Sequence, residues 1–252
     1  MMFDDRVVLV TGASRGIGRA IAQHFAIAGA RVVVHYRADT TAAEATLGSL
    51  NGQGHISVGA DVADPTEVER LVGTVVERLG TIDVLVNNAA VFTPHPVLES
   101  SYEDWQDAWR RTLATNLTGP ANLVHQVAKV MTSRGGGRIV NVSSRGAFRG
   151  EPDHPAYGAS KAGLNSFGQS MAQALAPHGI YVTTVAPGYV ETDMAASYLA
   201  GDGGAAVKRQ SPLDRAGQPD EIARMVVFLA TPGTEYATGA VVDVNGASYL
   251  RT

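Results

Sequence analysis

Short apolar runs separated by amphipathic stretches recur from one end of the chain to the other. Runs rich in Val and Ile occur at RVVLV (6–10), RVVVHY (31–36), HISVGAD (55–61), IDVLVNN (82–88), RIVNVSS (138–144), IYVTTVAP (180–187) and AVVDVNG (240–246). Most do not alternate apolar with polar residues, which is the pattern of strands covered on both faces of a parallel sheet. Between the runs the spacing becomes helical. Over 65–79, Val68, Leu71, Val72, Val75, Val76 and Leu79 fall on one face, and Asp64 as N-cap, Pro65 and Glu67 mark the start. Alternating β and α units without a long linker predict an α/β fold. We expect one domain over 1–252, a doubly wound parallel sheet of about seven strands with helices on both faces, and ligands beyond the carboxyl ends of the strands. The stretch 193–212, containing AGDGG, fits neither pattern and reads as a mobile substrate flap before the last helix.

Composition narrows the chemistry. The 252 residues carry 20 Lys plus Arg against 24 Asp plus Glu, a formal charge of −4. No basic run is present to follow a nucleic-acid backbone. Cysteine is absent, which excludes disulfides, thiolate catalysis and Cys-based zinc sites. The seven histidines are scattered without ligand spacing, so no metal is expected. The start MMFDDRVVLVTG lacks the basic and apolar regions of a signal peptide, and no apolar stretch approaches the roughly 20 residues of a membrane span. The expectation is a soluble, cytoplasmic protein acting on a small molecule, with no nucleic acid and no membrane as partner.

VTGASRGIGRAIA (10–22) follows the first apolar run and opens a helix with Ile17, Ala20, Ile21, Phe25 and Ala28 on one face. Gly12, Gly16 and Gly18 allow backbone approaches that a Cβ forbids, and a helix N-terminus offers free N–H groups to a pyrophosphate. With Ser14, Arg15 and Ile17 between them, these glycines form a candidate dinucleotide cradle of the Rossmann type, although the spacing is G-x-x-x-G-x-G. A tight turn without a ligand is the alternative. At the end of the second strand, where an acid would hold the ribose hydroxyls of NAD, the chain reads Tyr36 and then Arg37. Arg37 together with Arg15 favours NADP(H) over NAD(H); two merely solvated arginines are the bland alternative. Asp39 comes three residues too late and reads as a loop or helix-capping residue.

AYGASKAG (156–163) sets Tyr157 and Lys161 on one face of a helix, among the small residues Gly158, Ala159, Ser160 and Gly163, which leave room for close approach. Taken together, TGASRGIG, NNAA, the SS thirteen residues upstream of YGASK, and APGYVETDM resemble the short-chain dehydrogenase/reductase family. Order and spacing agree over nearly the whole chain, and the pattern looks most like the β-ketoacyl-(acyl carrier protein) reductase-like members. The resemblance implies a single-domain Rossmann oxidoreductase that moves a hydride between nicotinamide and a carbonyl or secondary alcohol. It implies that Ser144 bonds the reacting oxygen, Tyr157 exchanges the proton, Lys161 supports Tyr157 and holds the ribose, and Asn116 of TNLTG sustains a relay water. Asp61 and Val62 would meet the adenine, and Asn87, Asn88, Ala89 and Ala90 would close over the adenosine. Pro187, Gly188, Val190 and Thr192 would cup the nicotinamide. Ala90 and Ala247 stand where the family commonly has Gly.

The same resemblance implies a homotetramer and, as substrate, a small ketone or alcohol or a carrier-bound acyl group. An NAD-dependent alcohol, sugar or steroid dehydrogenase stays open, as does a catalytically silent cofactor-binding regulatory protein. Lowering a phenol from about 10 towards neutrality takes about 4 kcal/mol. A lysine charge at about 4–5 Å supplies roughly 3–4 kcal/mol at an effective dielectric near 20. Arg145 and Arg149 either greet an acidic substrate tail or stand solvated in a loop.

Overall fold

Each of the seven Val- and Ile-rich runs forms a strand in the computed structural model, which describes residues 2–200 and 203–251, the side chains of 197–199 excepted. The strands are β1 (Val7–Val10), β2 (Arg31–Tyr36), β3 (Ile56–Gly59), β4 (Val84–Asn87), β5 (Gly137–Val142), β6 (Ile180–Pro187) and β7 (Val241–Val244). All neighbouring pairs are parallel, in the order β3-β2-β1-β4-β5-β6-β7. The helices are α1 (Gly16–Ile27), α2 (Thr40–Gly48), α3 (Pro65–Leu79), α4 (Tyr102–Leu113), α5 (Gly119–Ser133), α6 (Gly146–Arg149), α7 (Pro155–Leu175), α8 (Asp193–Ala200), α9 (Gly204–Lys208) and α10 (Pro219–Leu229).

The unalternating runs have a direct cause. Val8, Val10, Val32 and Val34 pack with Ile21 and Phe25 of α1 and Val226 of α10 on one face of the sheet. Val7, Leu9 and Val33 pack with Val68 and Leu71 of α3 and Leu123 and Val127 of α5 on the other. Local chemistry sets the helix ends. The Asp64 carboxylate accepts the Thr66 and Glu67 N–H groups at the start of α3, and Gly80, at φ 84°, closes it in the left-handed region. Asp39 caps α2 by accepting from the Ala42 N–H at 2.9 Å.

Strand order reverses between β1 and β4, so the β1–α1 turn and the residues after β4 meet at the carboxyl edge. Ahead of Asn116 the helix changes character: α4 gives way to a π-helical turn, Ala114–Thr118, that runs into α5. The wider turn carries Asn116 out of the α-helical register. The stretch 193–212 carries two helices, α8 and α9, where the sequence showed no helical pattern; Gly201 and Asp202 of AGDGG lie outside the described residues. Among the described residues no helix is long and apolar enough to cross a membrane.

Candidate active site

A cleft of ≈390 Å³ opens at the carboxyl edge, and apart from Asn87 every residue proposed from the sequence to bind a cofactor lines it. The glycine turn forms its floor. Gly12 and Gly16 have φ of 63° and 54°. A Cβ on Gly18 would lie 2.2 Å from the Gly12 carbonyl oxygen, so only glycine allows the turn to fold back on α1. The start of α1 has no side-chain cap and no acid in its first turn. Its leading N–H groups therefore face the cleft unclaimed, and a phosphate is the group that suits them. Arg15 and Arg37 are exposed at the rim, and neither forms an ion pair among the described residues. Without an acid at Tyr36, this rim accommodates a 2′-phosphate. The residues present fit a phosphorylated dinucleotide.

Three side chains brace the cradle. Asn88 donates from Nδ2 to the Thr11 and Gly12 carbonyls at 2.8 and 3.2 Å. Asp61 lines the cleft but also accepts from the Ala63 N–H at 2.9 Å, which shapes its own loop. His35, unremarked in the sequence, is 1% exposed on β2. Its Nδ1 accepts the Gly12 N–H at 3.1 Å, and its Nε2 lies 2.9 Å from the Ala60 carbonyl. The proton therefore sits on Nε2. Burial holds the imidazole down at about 4. The only sign of it in the sequence is a polar residue inside an apolar strand. Asn87 departs from expectation: its Nδ2 donates to Asn141 Oδ1 at 2.9 Å, and it braces β4 against β5 away from the cleft.

Pro155 occupies the first turn of α7, and from this helix Tyr157 and Lys161 both reach the cleft. The Ser144 hydroxyl neighbours that of Tyr157 in the cleft and acts to lower its proton affinity. Ser144 also receives the Gly146 N–H at 3.0 Å, which fixes its rotamer. Ser143 bonds instead to the Lys161 carbonyl at 3.3 Å. Lys161 is 2% exposed; its Nζ donates to the Val142 carbonyl at 2.8 Å and lies 5.7 Å from the centre of the Tyr157 ring. Burial pushes Tyr157 up to about 12 and Lys161 down to about 8. Loss of water is the largest cause of both shifts. Phe92 meets Tyr157 edge-on at 4.7 Å and stacks on His154 at 3.7 Å.

The small residues of AYGASKAG serve packing. A Cβ on Gly163 would meet Leu117 at 3.0 Å, and one on Gly158 the Gly146 carbonyl at 3.3 Å. Asn116 is fully buried, yet it does not line the cleft. Its Oδ1 accepts the Val91 N–H at 2.8 Å, and its Nδ2 donates to the Val91 carbonyl and to Ser160 Oγ at 3.0 and 3.2 Å. Its side chain joins the π turn to the segment after β4 and to α7. Beyond Ser144 the walls include Phe92, Arg145, Glu151, Tyr189 and Met194. Burial raises Glu151 above the ordinary carboxylate range. Arg145 corrects the solvated-loop alternative, being only 2% exposed.

Comparison with known proteins agrees with this geometry. Residues 12–247 match the family model described as Enoyl-(Acyl carrier protein) reductase. A 3-oxoacyl-[acyl-carrier-protein] reductase of Synechocystis is 40% identical over 248 residues, 97% of each chain. The 3-oxoacyl-[acyl-carrier-protein] reductase FabG of Escherichia coli is 37% identical over 252 residues, covering 99% of this chain and 100% of its own. A short chain dehydrogenase from Burkholderia cenocepacia, solved in complex with NADP, superposes with a TM-score of 0.90 at 31% identity, over 98% of this chain and 99% of that one. The chain belongs to the short-chain dehydrogenase/reductase family.

Proposed function

We propose that the protein is an NADP(H)-dependent reductase that converts a 3-oxoacyl or related ketone to the secondary alcohol, with Ser144, Tyr157 and Lys161 as its catalytic residues. One observation carries this reading: the Ser144–Tyr157 hydroxyl pair and the Lys161 amine face the same cleft as the glycine cradle. Bound in the cradle, the reduced dinucleotide supplies the hydride. The two hydroxyls then bond the carbonyl oxygen where negative charge develops, and Tyr157 donates the proton. Burial keeps Tyr157 protonated far above neutrality, so it meets the substrate as an acid. Giving up that proton leaves a phenolate that the cleft disfavours. At an effective dielectric near 20, an ammonium about 5 Å from a phenolate oxygen returns about 3 kcal/mol, equivalent to about two pK units. One of the three Lys161 N–H donors is used on Val142; the others are available to ribose hydroxyls.

In this reading Arg15 and Arg37 hold the 2′-phosphate, and Asp61 and Val62 border the adenine. Asn88, Ala89 and Ala90 border the adenosine, while Pro187, Gly188, Val190 and Thr192 border the nicotinamide. Asn116 acts as a positioning residue through Val91 and Ser160. The names of the relatives support an acyl group on a carrier thioester as substrate, and the proposal retains the cytoplasmic location and homotetrameric assembly that the sequence resemblance implies. Tyr157→Phe tests the centre of the proposal. NADPH oxidation by an acetoacetyl thioester is expected to fall at least about a hundredfold, with NADPH binding, followed by fluorescence, retained. Near-normal turnover in that variant removes Tyr157 from the chemistry.

A further inference from the structure

Arg145 directly follows Ser144 and lines the cleft, and its backbone N–H donates to the Pro187 carbonyl at 2.9 Å. Its guanidinium lies over the Tyr189 ring, 4.8 Å from the centroid. Arg149, at the end of α6, is exposed. The two guanidinium groups converge on one neutral atom. Gln210 Oε1 accepts from Arg145 at 2.6 Å and from Arg149 at 2.9 Å. Like charges so placed repel each other, and an amide oxygen compensates neither. Among the described residues neither arginine has an ion-pair partner. Glu151 is the nearby acid; its charge acts on both arginines from a distance, but its carboxylate lies against Gly146 and pairs closely with neither. Burial, and after it the charge of Arg149, holds Arg145 below the usual guanidinium range. An anionic oxygen in place of the Gln210 amide oxygen would receive two charge-assisted hydrogen bonds, the strong kind.

Building on the reductase reading, we propose that Arg145, which lines the cleft, and Arg149, which reaches the same amide oxygen from the exposed surface beside it, form an anion subsite bordering the cleft, with Gln210 holding its place until an anionic oxygen of the substrate displaces it. The ligand chemistry is a carboxylate or a phosphate carried by the ketone substrate. Two sources offer it: the carboxylate of a short keto acid, and the phosphate of a carrier's thioester arm.

The test uses the holoenzyme and two matched pairs. One pair is acetoacetate and its methyl ester; the other is acetoacetyl-pantetheine with and without its terminal phosphate. In the wild type, kcat/KM is expected to favour the charged member of at least one pair by about tenfold, the size of a charge-assisted bond. The pair showing the preference identifies the source. Arg149→Met is expected to erase that preference. Gln210→Glu, which puts a permanent carboxylate in the subsite, is expected to erase it as well. A Gln210 that merely fastened the loop would, as glutamate, leave the ratio intact, and that result overturns the proposal. So does a wild type showing no preference in either pair. Calorimetric binding of acetoacetate and of the phosphorylated thioester to the NADP⁺ complex separates the two readings. Charged ligands that bind and lose affinity in Arg149→Met, yet are never reduced, leave the subsite standing and remove the reductase reading. Reduction of the neutral substrates without any such binding does the reverse.

Discussion

Burial acts in opposite senses on the two ionisable partners of α7, pushing Tyr157 up to about 12 and Lys161 down to about 8. The phenol then keeps its proton across the physiological range, and the amine is the group whose charge changes within it. Below about 8 Lys161 is an ammonium able to stabilise the phenolate left by proton donation; above that it is neutral and offers no such help. Ketone reduction at saturating substrate is therefore expected to be level at low pH and to decline as pH rises through about 8. Steady-state kcat measured from about pH 6 to about pH 10 checks this. A Lys161→Met variant, slower throughout, should lack that descending limb. A wild-type profile flat over the whole range contradicts the assignment of the titrating group to Lys161.

At the scale of elements, His35 ties the glycine turn after β1 to the end of β3, using both ring nitrogens from a position on β2. Its folded-state value of about 4 lies below the ordinary 6.5. Between these limits the unfolded chain takes up a proton that the folded chain does not. Stability is thus full above about pH 6.5 and is lost as pH falls towards about 4, by about 3 kcal/mol over that window. Urea denaturation at about pH 7 and about pH 4.5, compared with a His35→Asn variant, isolates this contribution, and the variant's stability should change less between the two. Equal changes in both proteins would show that His35 is not the source.

The same element marks where sequence reading ends. The seven strands were legible because burial on both faces leaves no room for alternation. The glycine turn was legible because its conformation excludes other residues. The partners of His35, the π turn that places Asn116, and the meeting of Arg145 with Gln210, sixty-five residues away, depend on contacts between elements that no local spacing records. Ser144, Tyr157 and Lys161 were readable only because their order along the chain resembles a family pattern. Their shifted proton affinities were not, since these follow from how much water the folded cleft excludes.

For the molecule as a whole, the cleft unites the β1–α1 turn, the segments after β4 and β5, helix α7 and the loop after β6. A dinucleotide spanning it binds only when all of these are assembled, because the unfolded chain holds no such site. Binding therefore adds to the stability of the entire fold. At a free concentration about a hundred times the dissociation constant, the gain is about 2.7 kcal/mol. For a chain of this length that corresponds to a rise in melting temperature of about 5–10 °C. NADPH is expected to produce this rise, and NADH at equal concentration a smaller one, because Arg15 and Arg37 at the exposed rim gain a partner only from the 2′-phosphate. A tenfold difference in affinity is about 1.4 kcal/mol, or about 3–6 °C. Arg37→Ala should bring the two melting temperatures closer by lowering the NADPH curve alone. A variant that lowers both curves equally would place Arg37 at the shared adenosine portion, and one that lowers neither would leave the discrimination to Arg15.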